Sequence, residues 1–440
     1  AQSATLAVLP NAPSLIFPGK NHDLLLAKRN RLLARLLEMK IISQEEYSLS
    51  LIEQLPQKPH PLPQHAPHLL NNIAQHYGKK HKTSINYELQ LSVNQLIQRH
   101  SAKLRRNNIN NLAILVTDVK TGKVISYNGN TTGMGFNHNE AVNMINAPRS
   151  SGSILKPFLY CQAFDEGFIT PHSLLPDVPT HYKGYTPQNY AQSYAGAVSA
   201  SKSLAQSLNI PAVRLLEKVE LNNFYHKLQS LPISTINKPA NHYGLSLILG
   251  GAETSLWDLN NAYRMMAWRA NQLKEVGEFP ITSVYPNTEI RKGKSNFGKG
   301  ALYLTLNSML DVVRPGEDSN WRLFNSSRKV AWKTGTSFGF RDAWAIGITP
   351  EYVVSIWVGN ATGEGRPGII GVKAAAPVLF DVFNILPETS WFKEPIDDFK
   401  PREICSESGY RLSENCPRSK TLNLNKRANH VPICTFHKTI

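Results

Sequence analysis

Ser153-Ile-Leu-Lys156, Ser207-Leu-Asn209 and Lys333-Thr-Gly335 follow one another in this order along the chain, with room for whole structural elements between them. None is informative alone, because such short patterns arise by chance in 440 residues. Ser-x-x-Lys also occurs at Ser199–Lys202 and Ser326–Lys329, Ser-x-Asn at Ser84–Asn86, Ser92–Asn94 and Ser413–Asn415, and Lys-Thr-Gly at Lys120–Gly122. The last of these lies between two alternating apolar stretches, Leu112–Asp118 and Lys123–Tyr127, and reads as a β-hairpin turn. Ser199 stands too close to Ser207 to leave room for a separate element, and Ser326 comes after Ser207 and abuts Lys333. Only Ser153 is followed by both other motifs at useful distances.

The three motifs supply the parts of an acyl-transfer site. A serine hydroxyl is a poor nucleophile until a neighbour removes its proton. Helix positions i and i+3 share a face, so Lys156 is expected to reach the Ser153 oxygen. Pro157 is best tolerated near a helix start, which places Ser153 at or close to an N-terminus. Backbone N–H groups and the positive dipole end would then face the developing oxyanion. Lys156 must be neutral to act as base, so its pKa must fall far below the ordinary value of about 10.4. Burial and a second cation, Lys333, would both lower it. Lys333 would also attract a substrate carboxylate, with the Thr334 and Thr336 hydroxyls as hydrogen-bond donors. Gly335, lacking Cβ, would let an acyl carbonyl approach the strand edge. The Thr336 and Ser153 N–H groups would form an oxyanion hole. Ser207 can relay a proton to the leaving amine, and Asn209 can offer its amide to a substrate backbone. Singly, each motif reads as well as a helix cap, a polar helix end before Pro211, or a bulged strand.

Bulk properties permit two or three folding units with a large core. Hydrophobic content of 41% and charged content of 18% are ordinary for a globular protein. The net charge of +16 is spread over short clusters, Arg29–Arg35, Lys79–Lys82, Lys103–Arg106 and Arg291–Lys294, without a nucleic-acid-binding motif. A nucleic-acid partner is one reading of that excess, and a basic face turned toward anionic envelope polymers or lipid headgroups fits as well. Charge alone does not choose, and without an organising motif no nucleic-acid partner is expected. No apolar run approaches the roughly 20 residues needed to span a bilayer. The chain opens without an initiator Met or a signal peptide, as expected of a mature or truncated form.

Residues 24–53 read as two helices, with Leu25, Leu32, Leu33, Leu36 and Leu37 at helical spacing and a capping box at Ser43-x-x-Glu46. Five prolines between Pro56 and Pro67 mark a semi-rigid linker, bounded at 56–85. Helical patterning resumes over Asn86–Leu104, followed by the 112–127 hairpin, a loop over Asn128–Ser150, and an α-rich region to about Arg269. Gly250-Gly251 turns the chain into an amphipathic helix carrying Leu256, Leu259, Tyr263 and Met266. Lys329–Ser337, Asp342–Thr349 and Tyr352–Gly359 predict an antiparallel meander. A polar tail follows Pro387. Cys161 is expected to be a small buried helix residue. The tail holds Cys405-x10-Cys416-x17-Cys434-x2-His437. On spacing, one disulfide among the three cysteines is the preferred reading. Cys405, Cys416, Cys434 and His437 as a zinc site is the alternative, since only the last pair has tight ligand spacing. No metal or other cofactor is otherwise expected.

At these residues the chain resembles the class A penicillin-binding proteins. Arg149-Ser-Ser-Gly-Ser-Ile-Leu-Lys-Pro-Phe158 is similar to their nucleophile segment, and Lys333-Thr-Gly-Thr-Ser337 with Arg341-Asp-Ala-Trp344 to their third motif and following strand. Gly244-Leu-Ser-Leu-Ile-Leu-Gly-Gly-Ala252 resembles another family stretch. Phe338-Gly-Phe340 and the cysteine-bearing tail point to the 1C type. Ala4–Ser14 and the helices through Leu51 resemble the closing segment of the family's glycosyltransferase domain. The resemblance implies the serine β-lactamase/penicillin-binding transpeptidase fold, an α+β (α/β) architecture with an antiparallel sheet packed against an α-rich lobe and flanked by further helices. It divides the chain into a glycosyltransferase remnant at 1–55, the linker at 56–85, a transpeptidase domain at 86–388 and a small segment at 389–440. It implies catalytic roles for Ser153, Lys156, Ser207, Asn209 and Lys333 and substrate binding by Thr334, Gly335, Thr336 and Ser337. The implied reaction is D-Ala-D-Ala transpeptidation of peptidoglycan stem peptides, with β-lactams acylating the same serine, on the periplasmic side of a bacterial inner membrane beside other cell-wall synthesis proteins. The transferase's carboxylates and anchor would lie upstream of Ala1, so glycan polymerisation is not expected.

Two rivals are weighed against this reading. A D,D-carboxypeptidase or β-lactamase on the same fold needs a route to fast deacylation. Glu217 and Glu220 fall too close behind Asn209 to sit on a separate loop as the required base. A non-catalytic envelope-binding protein is disfavoured by the intact Ser153, Lys156 and Lys333.

Overall fold

The computed structural model describes residues 1–11, 14–58, 63–73, 80–133, 138–182, 184–272, 276–287, 289–294, 297–315 and 328–437. Ser326 of the second Ser-x-x-Lys pattern, and parts of the 128–150 loop and of the basic 79–82 cluster, lie outside the described residues. The chain divides into two compact units, Ala1–Gln64 and His65–Ile440.

The first unit is helical: α1 (Gln2–Val8), α2 (His22–Glu38) and α3 (Gln44–Ile52). The buried stripe of α2 is Leu25, Arg29 and Leu33. The Arg29 guanidinium donates to the carbonyls of Glu53 (2.6 Å) and Leu51 (3.3 Å), satisfying orphan acceptors at the end of α3. Ser43 and Glu46 form the expected reciprocal capping box.

The second unit is built around one sheet. Its helices are α4 (Pro67–Ile73), α5 (Tyr87–Leu104), α6 (Lys156–Glu166), α7 (Ala200–Ala205), α8 (Asn209–Val219), α9 (Leu221–Gln229), α10 (Ala240–Tyr243), α11 (Leu256–Asn271), α12 (Lys299–Leu310) and α13 (Ala376–Ile385). The strands, in chain order, are β1 (Asn111–Asp118), β2 (Val124–Asn128), β3 (Arg149–Ser150), β4 (Leu174–Asp177), β5 (Gly196–Ser199), β6 (Glu253–Thr254), β7 (Val276–Pro280), β8 (Ile290–Lys294), β9 (Ala331–Thr336), β10 (Asp342–Ile348), β11 (Tyr352–Gly359), β12 (Phe399–Cys405) and β13 (Ser419–Asn425).

The main sheet runs β2-β1-β11-β10-β9, antiparallel throughout, with β9 at one edge. Successive strand residues alternate between its faces. Leu115, Trp344, Ile346, Val353 and Trp357 join a core with α6, α8, α11 and α12. Leu112, Ile114, Trp332, Ala345, Ile356 and Val358 join a second core with α5 and α13. With both faces covered, the strands are apolar almost end to end, as in Tyr352–Val358, where Ser355 is the one polar residue. The three-layer arrangement agrees with the expected fold.

Local readings also hold. Lys120-Thr-Gly122 is the β1–β2 turn, with Asp118 Oδ1 accepting the Thr121 N–H (2.7 Å) and Gly122 at φ +71°. Asn86 caps α5. Cys161 is fully buried on α6. The structure departs from expectation at four places. Ser199 caps α7, so the short interval before Ser207 does hold a separate element. The proline-rich stretch contains α4, which begins at Pro67, where a missing N–H is harmless, and buries Leu69. The α-rich region encloses the β4–β5 hairpin. The preferred disulfide is absent: all four cysteines are free, and the three of the tail converge with His437. Spacing misled there because the intervals of ten and seventeen residues are taken up by the β12–β13 hairpin and its loops, which return the thiols to one place.

Candidate active site

Ser153 lies in a turn directly preceding α6, whose first residue is Lys156 and whose second is Pro157. The approach to it is tightly held. Arg149 and Ser150 pair with Thr254 and Glu253 of β6, the Ser150 hydroxyl donates to Gly250 O (2.8 Å), and Ser151 N–H donates to Ala252 O (3.0 Å). Trp344 Nε1 donates to Ser150 O (2.8 Å), and the buried Tyr263 hydroxyl donates to Ile154 O (2.6 Å). Gly152 has φ +52°, and a Cβ there would stand 2.8 Å from Thr336 N and O. The segment is thus pressed edge-on against β9.

Lys156 and Lys333 are both buried. Lys156 Nζ donates to Ser207 O (2.7 Å), Leu208 O (3.1 Å) and Asn209 Oδ1 (2.7 Å). Lys333 Nζ donates to Ser207 Oγ (2.7 Å) and Thr334 O (2.7 Å). Burial, reinforced by the Lys333 charge, pushes the Lys156 amine well below its usual range. Burial alone brings Lys333 down to about 7. Three acceptors around Lys156 match the three N–H bonds of an ammonium, and none of them is Ser153. Once a proton is lost, one contact must be released and a nitrogen lone pair is freed.

Ser207 links the two cations. It sits between α7 and α8 at φ +58°, an uncommon conformation for a residue with a side chain. Its hydroxyl accepts from Lys333, so its own proton is left to point into the cleft. Asn209, the first residue of α8, receives Lys156 on Oδ1 and gives Nδ2–H to Gln188 O (2.7 Å). Ser153, Ser207, Asn209, Thr334 and Thr336 line a cleft of about 390 Å³ with Tyr190, Asp311 and Val313. A second cleft of about 610 Å³ continues from Asn209, Tyr190 and Thr336 to Ser337, Phe338 and Phe340.

Two expectations change in detail. The space left by Gly335 is taken by the chain itself, since a Cβ there would lie 2.9 Å from Ser151 O and 3.1 Å from Trp344 Cδ1. Ser337 is buried and its hydroxyl accepts the Asp342 N–H (2.8 Å), closing the β9–β10 turn. Thr336 Oγ1 accepts the Gly371 N–H (3.0 Å) and keeps its own proton to donate.

Sequence reasoning missed the loop 185–190. Asn189 is buried; its Oδ1 accepts the Asn209 N–H (2.9 Å), and its amide donates to Asp177 Oδ1 (2.7 Å) and Ser193 O (2.9 Å). It therefore caps α8 from a distance and fixes Asn209. Tyr190 packs edge-on to Phe340, with centroids 6.4 Å apart. The only signal was Pro187-Gln-Asn-Tyr190, a polar and aromatic cluster with no periodicity.

Residues 112–379 match the model of the penicillin-binding protein transpeptidase domain. The chain belongs to this family. Among individual members, it is 34% identical to penicillin-binding protein 1C of Escherichia coli K12 over 95% of its length and 54% of that protein. It is 25% identical to penicillin-binding protein 1B of Haemophilus influenzae over 87% of its length and 52% of that protein. The chain thus spans about half the length of these curated relatives and is of the class A, 1C-like kind. The crystal structure of penicillin-binding protein 1A from Haemophilus influenzae shares the fold at a TM-score of 0.72 and 17% identity, covering 95% of this chain and 84% of that one. PonA1 from Mycobacterium tuberculosis in complex with penicillin V aligns at 0.56 and 19% identity, over 83% and 96%.

Proposed function

We propose that this chain is a peptidoglycan D,D-transpeptidase working through a Ser153 acyl-enzyme, and that β-lactams inhibit it by acylating the same residue. The observation that carries this reading is the pair of buried amines, Lys156 and Lys333, joined through Ser207 at the cleft that holds Ser153.

The carboxylate of a stem peptide ending in D-Ala-D-Ala is drawn to Lys333 and the threonine hydroxyls of β9. Neutral Lys156 takes the Ser153 proton as Oγ attacks the penultimate D-Ala carbonyl. The oxyanion faces the Ser153 N–H and the outer edge of β9, the terminal strand of the sheet. The Ser207 hydroxyl passes a proton to the departing amine and takes back the one held on Lys156, the C–N bond breaks, and D-Ala leaves. An amine from a neighbouring stem then attacks the ester, its proton returns through the same groups, and the Ser153 Oγ–C bond breaks. No glutamate stands among the described residues lining either cleft, and Glu217 is engaged by the Tyr182 hydroxyl on the outer surface of α8. Asp311 is the carboxylate among the described residues of the Ser153 cleft. The absent glutamate base supports transfer to an amine over fast attack by water.

The helical unit is assigned to the closing part of a glycosyltransferase domain and residues 86–388 to the transpeptidase domain, with the work done at the periplasmic face of an inner membrane beside other wall-synthesis proteins. Among the described residues no helix is long and apolar enough to cross a membrane.

The test is incubation with a stem pentapeptide ending in D-Ala-D-Ala and a tetrapeptide bearing a free side-chain amine, followed by mass spectrometry. Release of D-Ala matched by cross-linked product is expected. D-Ala release with tetrapeptide alone would make the enzyme a carboxypeptidase instead.

A further inference from the structure

Outside the cleft, three thiols and one imidazole gather in the C-terminal module. Sγ of Cys405, Cys416 and Cys434 and a ring nitrogen of His437 all lie within 4.8 Å of one another. His437 Nδ1 stands 3.4 Å from Cys434 Sγ and 3.7 Å from Cys405 Sγ. Sulfur and nitrogen ligands on one tetrahedral zinc ion stand roughly 3.6 Å apart, given the usual Zn–S and Zn–N lengths. We propose that Cys405, Cys416, Cys434 and His437 bind one zinc ion in a closed tetrahedral Cys3His site that holds the C-terminal module together.

The surroundings are those of a metal site. His437 Nε2 lies 2.9 Å from a Glu407 carboxylate oxygen, which selects the tautomer with Nδ1 unprotonated and turned to the sulfurs. The Ser408 hydroxyl donates to Cys434 Sγ (3.1 Å), and Ser413 directs its N–H (3.3 Å) and lies with its hydroxyl 3.1 Å from Cys416 Sγ. Such donors stabilise thiolates. Four protein ligands leave no open position, so the ion is structural and does not bind substrate.

The module needs such a staple. Among the described residues its own apolar cluster is Ile404, Leu424, Ala428 and Val431 with Leu422 packed against it, too small to order a segment of this size unaided. What the ion orders is connected to the catalytic body. Gly409 O accepts the Thr170 hydroxyl (2.8 Å), Ser408 O accepts the Leu174 N–H of β4 (2.9 Å), and Asn425 Nδ2 donates to Asp165 on α6 (2.6 Å). Strand β4 ends at Asp177, which holds Asn189.

The test uses the full chain, dialysed against zinc-buffered medium under reducing conditions, with elemental analysis, thiol titration and the absorption spectrum of the cobalt-substituted form. About one zinc per chain and a thiolate-to-cobalt charge-transfer band with tetrahedral d–d bands are expected. Glu407→Gln, which keeps all four ligands, is expected to weaken zinc affinity about 10–100-fold. Cys161→Ser, outside the cluster, is expected to keep full zinc. Wild-type chain that takes up no zinc, whether its thiols titrate as four or as two with a disulfide, overturns the proposal. Loss of metal in Cys161→Ser, or an octahedral cobalt spectrum, overturns it as well.

Discussion

Lys333 serves two purposes that pull in opposite directions on pH. Its positive charge adds to burial in lowering the Lys156 pKa, and its own amine is brought down to about 7 by burial. Acylation needs Lys156 unprotonated, so the rate rises with pH through the depressed Lys156 pKa. Lys333→Met removes the neighbouring charge, lets the Lys156 pKa climb, and is expected to move the ascending limb of the benzylpenicillin acylation profile to higher pH. An unmoved limb would show that burial alone sets Lys156. The same substitution bears on stability. In the unfolded chain Lys333 binds its proton up to its ordinary value of 10.5, whereas in the fold it releases it near 7. Folding stability from this group is therefore complete above 10.5 and is lost as pH falls toward 7. Lys333→Met is expected to raise Tm more at pH 6.5 than at pH 10.5, a difference that thermal melts at the two pH values can check. The roles proposed for Lys156 and Lys333 could be framed from the sequence because they depend on which residues are present. The Lys156 bonds to Ser207 O and Asn209 Oδ1 were not, since they depend on where the α7–α8 turn brings its carbonyl.

At the scale of elements, the site is a contact between a turn and a strand edge. Gly152 makes that contact possible: with φ +52° and the backbone of Thr336 in the place of a Cβ, no side chain fits without shifting β9. Gly152→Ala is expected to destabilise the fold by about 1–3 kcal/mol and to slow acylation at least about tenfold, read by melting and by the rate of β-lactam uptake. A second element-level device is the Asp177–Asn189–Asn209 chain. Asn189→Ala uncaps α8 and removes the amide that Asp177 Oδ1 accepts, and is expected to cost about 1–3 kcal/mol and to lower the acylation rate while leaving Ser153 reactive. A variant with wild-type rate and lowered Tm would make Asn189 purely structural. Strands β9 to β11 and the capped helices α3, α5 and α11 could be read from periodicity, caps and turn residues. The β4–β5 hairpin and the loop 185–190 could not, because their order comes from buried side-chain bonds between residues far apart in the chain.

Across the whole molecule, the sheet explains why three scattered motifs converge. β9 lies at the sheet edge, and the Lys333 face of that strand looks toward the lobe that carries α6 and α8. Motif order in the sequence anticipated this meeting without showing its geometry. The tail read from sequence as one disulfide with a ligand set as the alternative, because its hairpin brings the thiols together across intervals that spacing rules do not cover. Intact-mass measurement after exposure to benzylpenicillin tests whether Ser153 is the nucleophile. One stable adduct of the drug's mass on the parent chain, absent from a folded Ser153→Ala variant, is the expected result. Equal labelling of the two chains, or no labelling of the parent, would contradict it.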